Sequence, residues 1–269
     1  MSDLKARVLD PKLTPFERLC TLMAILRSEE GCNWDRAQTH RTLLPYLIEE
    51  AYEVVDAVET DDFPALKEEL GDLLLQVVFH AQLASEAGKF TVDNAVDTIT
   101  RKLLDRHPHV FGERRDLQPI QVRDQWEMIK TSSGEKESVL AGLPRAMPAL
   151  TMAFRMGEKA AGVGFDWKSS SEALDKVSEE LAEVDRELRA KKPNRKECLS
   201  NELGDLLFAV ASVARLEGID PETALRGALA KFRDRFERME ARLTEGGKSL
   251  DQYSLDEMEA VWQKIKNHE

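Results

Sequence analysis

The chain has 269 residues, 42% of them apolar, 33% charged and only 6% aromatic, and its net charge is −12. That length suits two domains of ordinary size, each able to bury a core. The acidic balance, with no dense Lys/Arg tract, argues against a nucleic-acid groove or an anionic membrane surface as partner.

Apolar residues recur at helical spacing, with no two-residue alternation, which predicts an all-α chain. A first helix is expected over Pro15 to Glu29. Thr39 or Thr42 opens a second, running to about Thr60. Asp61 or Asp62 caps a third, with Pro64 in its first turn, which continues to Ala87 before Gly88. Thr91 opens a fourth that ends at His107-Pro108, since proline disfavours helix at the residue before it. A fifth is expected over Ile120 to Lys130. The same order then returns as Pro148–Lys159, Ser171–Lys191, Pro193–Glu217, Pro221–Glu245 and Leu255–Lys266. Thr131-Ser132-Ser133-Gly134 forms the best linker, so the chain divides into residues 1–135 and 136–269.

Cys20, Cys32 and Cys198 form no CxxC pair and no even framework, which fits a reduced, cytoplasmic protein. The charged stretch Met1 to Asp10 lacks the apolar centre of a signal peptide, and the longest apolar stretches, Leu73–Leu83 and Leu206–Ala214, are too short to span a bilayer. A soluble chain with no membrane partner is expected.

One acidic pattern is written twice. Glu49-Glu50-Ala51-Tyr52-Glu53 precedes Glu69-Leu70-Gly71-Asp72, and Glu179-Glu180-Leu181-Ala182-Glu183 precedes Glu202-Leu203-Gly204-Asp205. The blocks shift from 49 to 179 and from 69 to 202, offsets of 130 and 133 residues, as in a duplicated unit with a slightly different internal loop. Residues three and four apart share a helix face, so each block projects its carboxylates in one direction. Bringing Glu50, Glu53, Glu69 and Asp72 together, or Glu180, Glu183, Glu202 and Asp205, makes a cluster that repels itself unless protons or a cation neutralise it.

An isolated acidic pair on a helix is ordinarily a solvated face. Here Asp72 and Asp205 head the apolar runs Leu73-Leu74-Leu75 and Leu206-Leu207-Phe208, where water-facing residues should be scarce. Gly71 and Gly204 sit inside predicted helices at a cost of about 1 kcal/mol each, which points to close helix approach beside the acids. The second unit has one histidine, the terminal His268, and one thiol, Cys198, so its acidic set is all oxygen. That donor set favours Mg²⁺ or Mn²⁺ over Zn²⁺, and neither block offers the Glu-x-x-His pairs of a di-iron bundle.

Basic and aromatic residues repeat with the acids. Lys102 and Arg106 follow the first set and Lys231 and Arg235 the second, each pair four apart; Trp126 and Lys130 match Trp262 and Lys266, and Arg27 matches Arg155. The basic pairs suit phosphate oxygens, and the tryptophans suit base stacking, although each taken alone reads equally as a solvated face or a core residue. His80 and His107-Pro108-His109 have no counterparts in the second unit and read as structural. Gly-rich phosphate loops and Cys/His catalytic arrangements are absent from the sequence.

With Cys32-Asn33-Trp34-Asp35, Gln38-Thr39-His40, Arg106-His107-Pro108-His109-Val110-Phe111 and Gly164-Phe165-Asp166-Trp167, the two acidic motifs resemble the MazG family of nucleoside triphosphate pyrophosphohydrolases across nearly the whole chain. Asn33 stands where such proteins often have proline. The resemblance implies two tandem helical-bundle domains, a homodimer, and Mg²⁺-dependent hydrolysis of an NTP to an NMP and pyrophosphate, with the C-terminal domain as the better supported catalytic one. It implies Glu180, Glu183, Glu202 and Asp205 as metal ligands, Glu179 as support, Lys231, Arg235 and Lys266 on phosphate, and Trp262 beside the nucleotide. Glu179 or Glu180 would orient or deprotonate the attacking water. The competing expectations are an acidic helical scaffold, whose carboxylates would point to solvent, and a phosphohydrolase releasing orthophosphate.

Overall fold

The computed structural model of the chain describes residues 3–114, 116–118, 121–122, 125–126, 129 and 138–267. The described residues are helical, with no strand among them. They fall into two compact units, Met1–Asp116 and Leu117–Glu269. The division expected at 135/136, the linker Thr131–Gly134, Lys130 and His268 lie outside the described residues, as does much of the helix expected over 120–130.

Unit one contains α1 (Asp3–Val8), α2 (Pro15–Leu26), α3 (Asn33–Ala37), α4 (Leu44–Glu59), α5 (Phe63–Glu86), α6 (Val92–Arg106) and α7 (Pro108–Phe111). Its starts are written in the sequence. Thr14 and Glu17 form a reciprocal capping box at α2, as do Thr91 and Asn94 at α6, and Asp62 accepts from the Ala65 amide at α5. The Thr39/Thr42 expectation is corrected. Those two threonines bond each other in the preceding turn, and Leu43 occupies the N-cap of α4 without a side-chain cap. α4 packs along α5, with α2 and α6 on other sides of α5. Met23, Leu43, Val78 and Phe79 form the core beneath them. α1, α3 and α7 were not legible; each has six residues or fewer, too short for a periodic signal.

Unit two repeats the order with α8 (Ala149–Ala161), α9 (Ser170–Arg189), α10 (Arg195–Leu216), α11 (Pro221–Thr244), a 3₁₀ turn (Leu250–Gln252) and α12 (Leu255–Lys266). α9 runs along α10 as α4 does along α5, and α8 packs on α10 as α2 does on α5. Ser169, Asp220 and Ser254 cap α9, α11 and α12. A second cluster of Met239, Leu243 and Ile265 joins α11 to α12, closed by a Tyr253 hydroxyl that donates to the Leu243 carbonyl at 2.6 Å.

The close approach expected at Gly71 and Gly204 is not there: a Cβ built at either position meets nothing within 4 Å. Both glycines lie in helices facing open space, so the cost of a glycine is not explained by packing within the chain.

Candidate metal centres

Two paired helices build each acidic group. Glu50 on α4 and Glu69 and Asp72 on α5 each place a carboxylate oxygen within 4.8 Å of the others, and Glu180 on α9 with Glu202 and Asp205 on α10 do the same. Each group takes two acids three apart on one helix and one from its neighbour, as the shared-face argument requires. Glu53 is in hydrogen-bonding contact with Glu50, and Glu183 with Glu202, which brings the fourth predicted acid to the edge of each group. Glu183 also accepts from Arg186 Nη1 at 3.3 Å.

The electrostatics match the crowding. Burial first, then the Asp72 and Glu53 charges, push the Glu50 carboxyl above its ordinary range. Burial followed by Glu53 and Glu68 does this to Glu69, and burial followed by Glu183 to Glu202. Carboxyls crowded in this way are short of positive charge, and their donors are all hard oxygens. These residues fit a divalent cation of the Mg²⁺ type.

Glu180 is 5% exposed, contrary to the scaffold expectation of solvent-pointing carboxylates. Its counter-charge is Lys176, one turn earlier, with Nζ 2.6 Å from Glu180 and 2.9 Å from Glu179. These two bonds raise the Lys176 pKa, that to Glu180 foremost. Sequence reasoning missed Lys176, although a lysine four residues before a motif glutamate was the available signal. Glu179 lies outside the three-carboxylate group, with a side chain 60% exposed and tied to Lys176.

The remaining predicted residues are distributed as follows. Lys231 is exposed and Arg235 half-buried on α11; Lys102 is exposed and Arg106 is the half-buried last residue of α6. Lys266 is exposed on α12, whereas Trp262 packs into the Met239–Leu243–Ile265 cluster, tilted 5.2 Å from Phe232. Trp126 is half-buried. His80 forms a stacked pair with His40, their Nδ1 atoms 2.8 Å apart. Arg27 is spent on structure: it pairs with Glu86 at 2.7 Å and donates to the Asp35 carbonyl, fastening α3. Arg155, its repeat partner, pairs with Glu158 instead.

Fold and sites together define an all-α protein with a duplicated cluster of carboxylates, each built on a pair of helices. The profile described as the MazG nucleotide pyrophosphohydrolase domain matches twice, over residues 38–111 and 168–239, and each match contains one acidic group. The "Nucleoside triphosphate pyrophosphohydrolase/pyrophosphatase MazG" of Thermotoga maritima is 45% identical over 253 residues, 93% of this chain and 95% of that protein. The "Nucleoside triphosphate pyrophosphohydrolase" of Escherichia coli K12 is 42% identical over 261 residues, 96% of this chain and 99% of that protein. A protein of the same name from Mycobacterium tuberculosis is 38% identical over 175 residues, 64% of this chain and 53% of its own length. The chain belongs to the MazG family.

Proposed function

We propose that this protein is a nucleoside triphosphate pyrophosphohydrolase that converts NTPs and dNTPs to NMP and pyrophosphate, broad in base preference, and so clears unwanted nucleotides. The observation that carries the reading is the recurrence, on two helix pairs, of three carboxylates with oxygens within 4.8 Å of one another. Near-full-length relatives carrying that activity in their names support it.

Glu180, Glu202 and Asp205, with Glu183 beside them, would hold Mg²⁺, and Glu50, Glu69, Asp72 and Glu53 would do so in unit one; Mn²⁺ suits the same oxygens. The ion supplies Lewis-acid polarisation of the phosphate and charge neutralisation of the departing pyrophosphate. Glu179, outside the ligand group yet joined to Glu180 through Lys176, accepts the proton of the water that attacks the α-phosphorus. Lys231 and Arg235, four apart on α11, and Lys266 offset charge on the β and γ phosphates, with Lys102 and Arg106 in the same role in unit one. The protein works in the cytoplasm as a homodimer. The stripe Leu225, Leu229, Phe232 and Phe236, exposed at helical spacing on α11, supports a second copy. No helix among the described residues is long and apolar enough to cross a membrane.

Phosphorus NMR of the products from each common NTP with Mg²⁺ tests the reading. Pyrophosphate and NMP are expected; orthophosphate, or no turnover with any NTP, overturns it.

A further inference from the structure

The turn between α3 and α4 is held to α5 by a histidine pair that neither acidic group uses. His40 Nδ1 lies 2.8 Å from His80 Nδ1. The ring planes are 17° apart and the centroids 5.1 Å apart, longer than the nitrogen contact by the two ring radii. The nitrogens therefore meet edge to edge in nearly one plane, the geometry of an N–H···N hydrogen bond. A neutral imidazole has one donor nitrogen and one acceptor, and an imidazolium has two donors. One Nδ1 of the pair carries a proton and the other does not.

Burial decides which. His80 is half-buried on α5, and its Nε2 is buried with no hydrogen-bond partner among the described residues. Gln76, one turn earlier on the helix, does not supply one, since its Oε1 is likewise buried and unpartnered. A proton on His80 Nε2 would be a buried donor without an acceptor, which folded proteins avoid more strictly than a bare lone pair. His80 thus keeps its proton on Nδ1 and donates to His40, and the exposed His40 leaves its own Nε2–H to water. A proton added at His40 Nδ1 would face the His80 Nδ1–H. His80 could then accept only by moving its own proton to the unpartnered Nε2. Burial first, then the charge His40 would carry, push the His80 ring below its ordinary value. Neighbouring charges are not among the causes: not Arg27 of α2, which is spent on Glu86, not Arg41 beside His40, not Glu49 or Glu50 of α4, and not Asp93 or Asp97 of α6.

We infer that His40 and His80 form an acid-sensitive clasp: neutral, they tie the entry of α4 to α5; charged, they part, and the helix pair bearing the unit-one carboxylates loosens. His40 lies four residues before Leu44, the first of α4, and His80 eight after Asp72 on α5. Unit two has no such device, because at offsets of 130 and 133 residues His40 and His80 correspond to Ser170 and Val213.

Long-range proton–nitrogen NMR of the full-length, metal-free chain, assigned with His40→Asn and His80→Gln, reads the tautomers. At about pH 7.5 His80 should bear its proton on Nδ1. Amide exchange, corrected for intrinsic rates, reads the clasp at Leu43 and Leu47, whose N–H groups donate to the Thr39 and Leu43 carbonyls. The closed pair binds fewer protons than the open one, so closure is complete above the ordinary histidine value of about 6.5 and is lost as pH falls below it. Between about pH 7.5 and about pH 5.5, protection in the wild type should fall about tenfold, the factor by which one released histidine favours opening a pH unit below its ordinary value. His40→Asn, which keeps an acceptor oxygen where Nδ1 stood but does not titrate, should hold its protection within about twofold. The crowded carboxylates titrate alike in both chains, so the comparison isolates the histidines. If His80→Gln melts early, His40→Asn alone assigns the pair, and the exchange comparison needs no His80 variant. His80 protonated on Nε2 at about pH 7.5, unchanged protection in the wild type, or an equal fall in His40→Asn overturns the inference.

Discussion

Replacing Glu180 by glutamine separates a metal ligand from a structural residue, and the geometry sets the expected size of each effect. In the metal-free chain the Glu180 carboxylate feels one attraction, from Lys176 at 2.6 Å, and two repulsions, from Glu202 and Asp205 at up to 4.8 Å. Coulomb energy falls as 1/r, so at equal screening the two repulsions together match or slightly exceed the single attraction. Neutralising Glu180 removes all three, along with the cost of keeping a charge at a site only 5% exposed. Apo stability should therefore change by about 1 kcal/mol or less, which for a unit of this size moves the melting temperature by about 4 °C or less. The bound ion has no such compensation, because Lys176 does not ligate it. Mg²⁺ affinity and turnover should fall by at least about 100-fold, more than the loss of an outer partner costs.

The assay is thermal melting and Mg²⁺ titration calorimetry in a Glu50→Gln background, so that only the unit-two group responds. Glu180→Gln should melt close to its parent in EDTA and show no stabilisation by Mg²⁺. A metal-free variant that loses helicity or melts about 10 °C lower would make Glu180 a structural residue. A retained Mg²⁺ response would remove it from the ligand set.

Gly204→Ala should stabilise the metal-free chain by about 1 kcal/mol, because the site is helical and the new methyl meets nothing; destabilisation in urea titrations would show that another surface covers that face. Glu50, Glu69 and Glu202 hold protons more tightly in the fold than at their ordinary value of 4.5, so metal-free stability should rise as pH falls from neutrality towards that value. Glu86, lowered by its bonds to Arg27, adds stability above 4.5 that is lost as pH falls through its lower value, and saturating Mg²⁺ should reverse the first trend; a metal-free melting temperature that falls steadily from pH 7 to 5 refutes the reasoning. Glu180→Gln with Glu183→Gln should remove most pyrophosphate release, whereas Glu50→Gln with Glu53→Gln should leave most of it; the opposite pattern would make unit one the working half.

What the sequence made legible follows from what is local. The five long helices after residue 140 and the starts at Pro15, Asp62 and Thr91 were readable because periodicity and caps act within a few residues. The acidic groups were readable because a helix carries its own spacing, so Glu69 with Asp72 and Glu202 with Asp205 had to share a face wherever the partner helix lay. Trp262 was harder to place, since a tryptophan four residues before a lysine has the same spacing whether or not it also packs on the Met239 cluster. The pairing of Arg215 with Asp166 was illegible for a stronger reason. It joins residues far apart in the chain, and a pairing of charges is something no periodic rule predicts. Duplication shows the consequence. The signals that repeat, the acids and the basic pairs, are those a helix can copy by itself. The features that distinguish the units depend on which neighbour each side chain meets: Arg27 pairs with Glu86 in unit one, whereas its repeat partner Arg155 pairs with Glu158. An equal pair of acidic groups thus says little about equal activity.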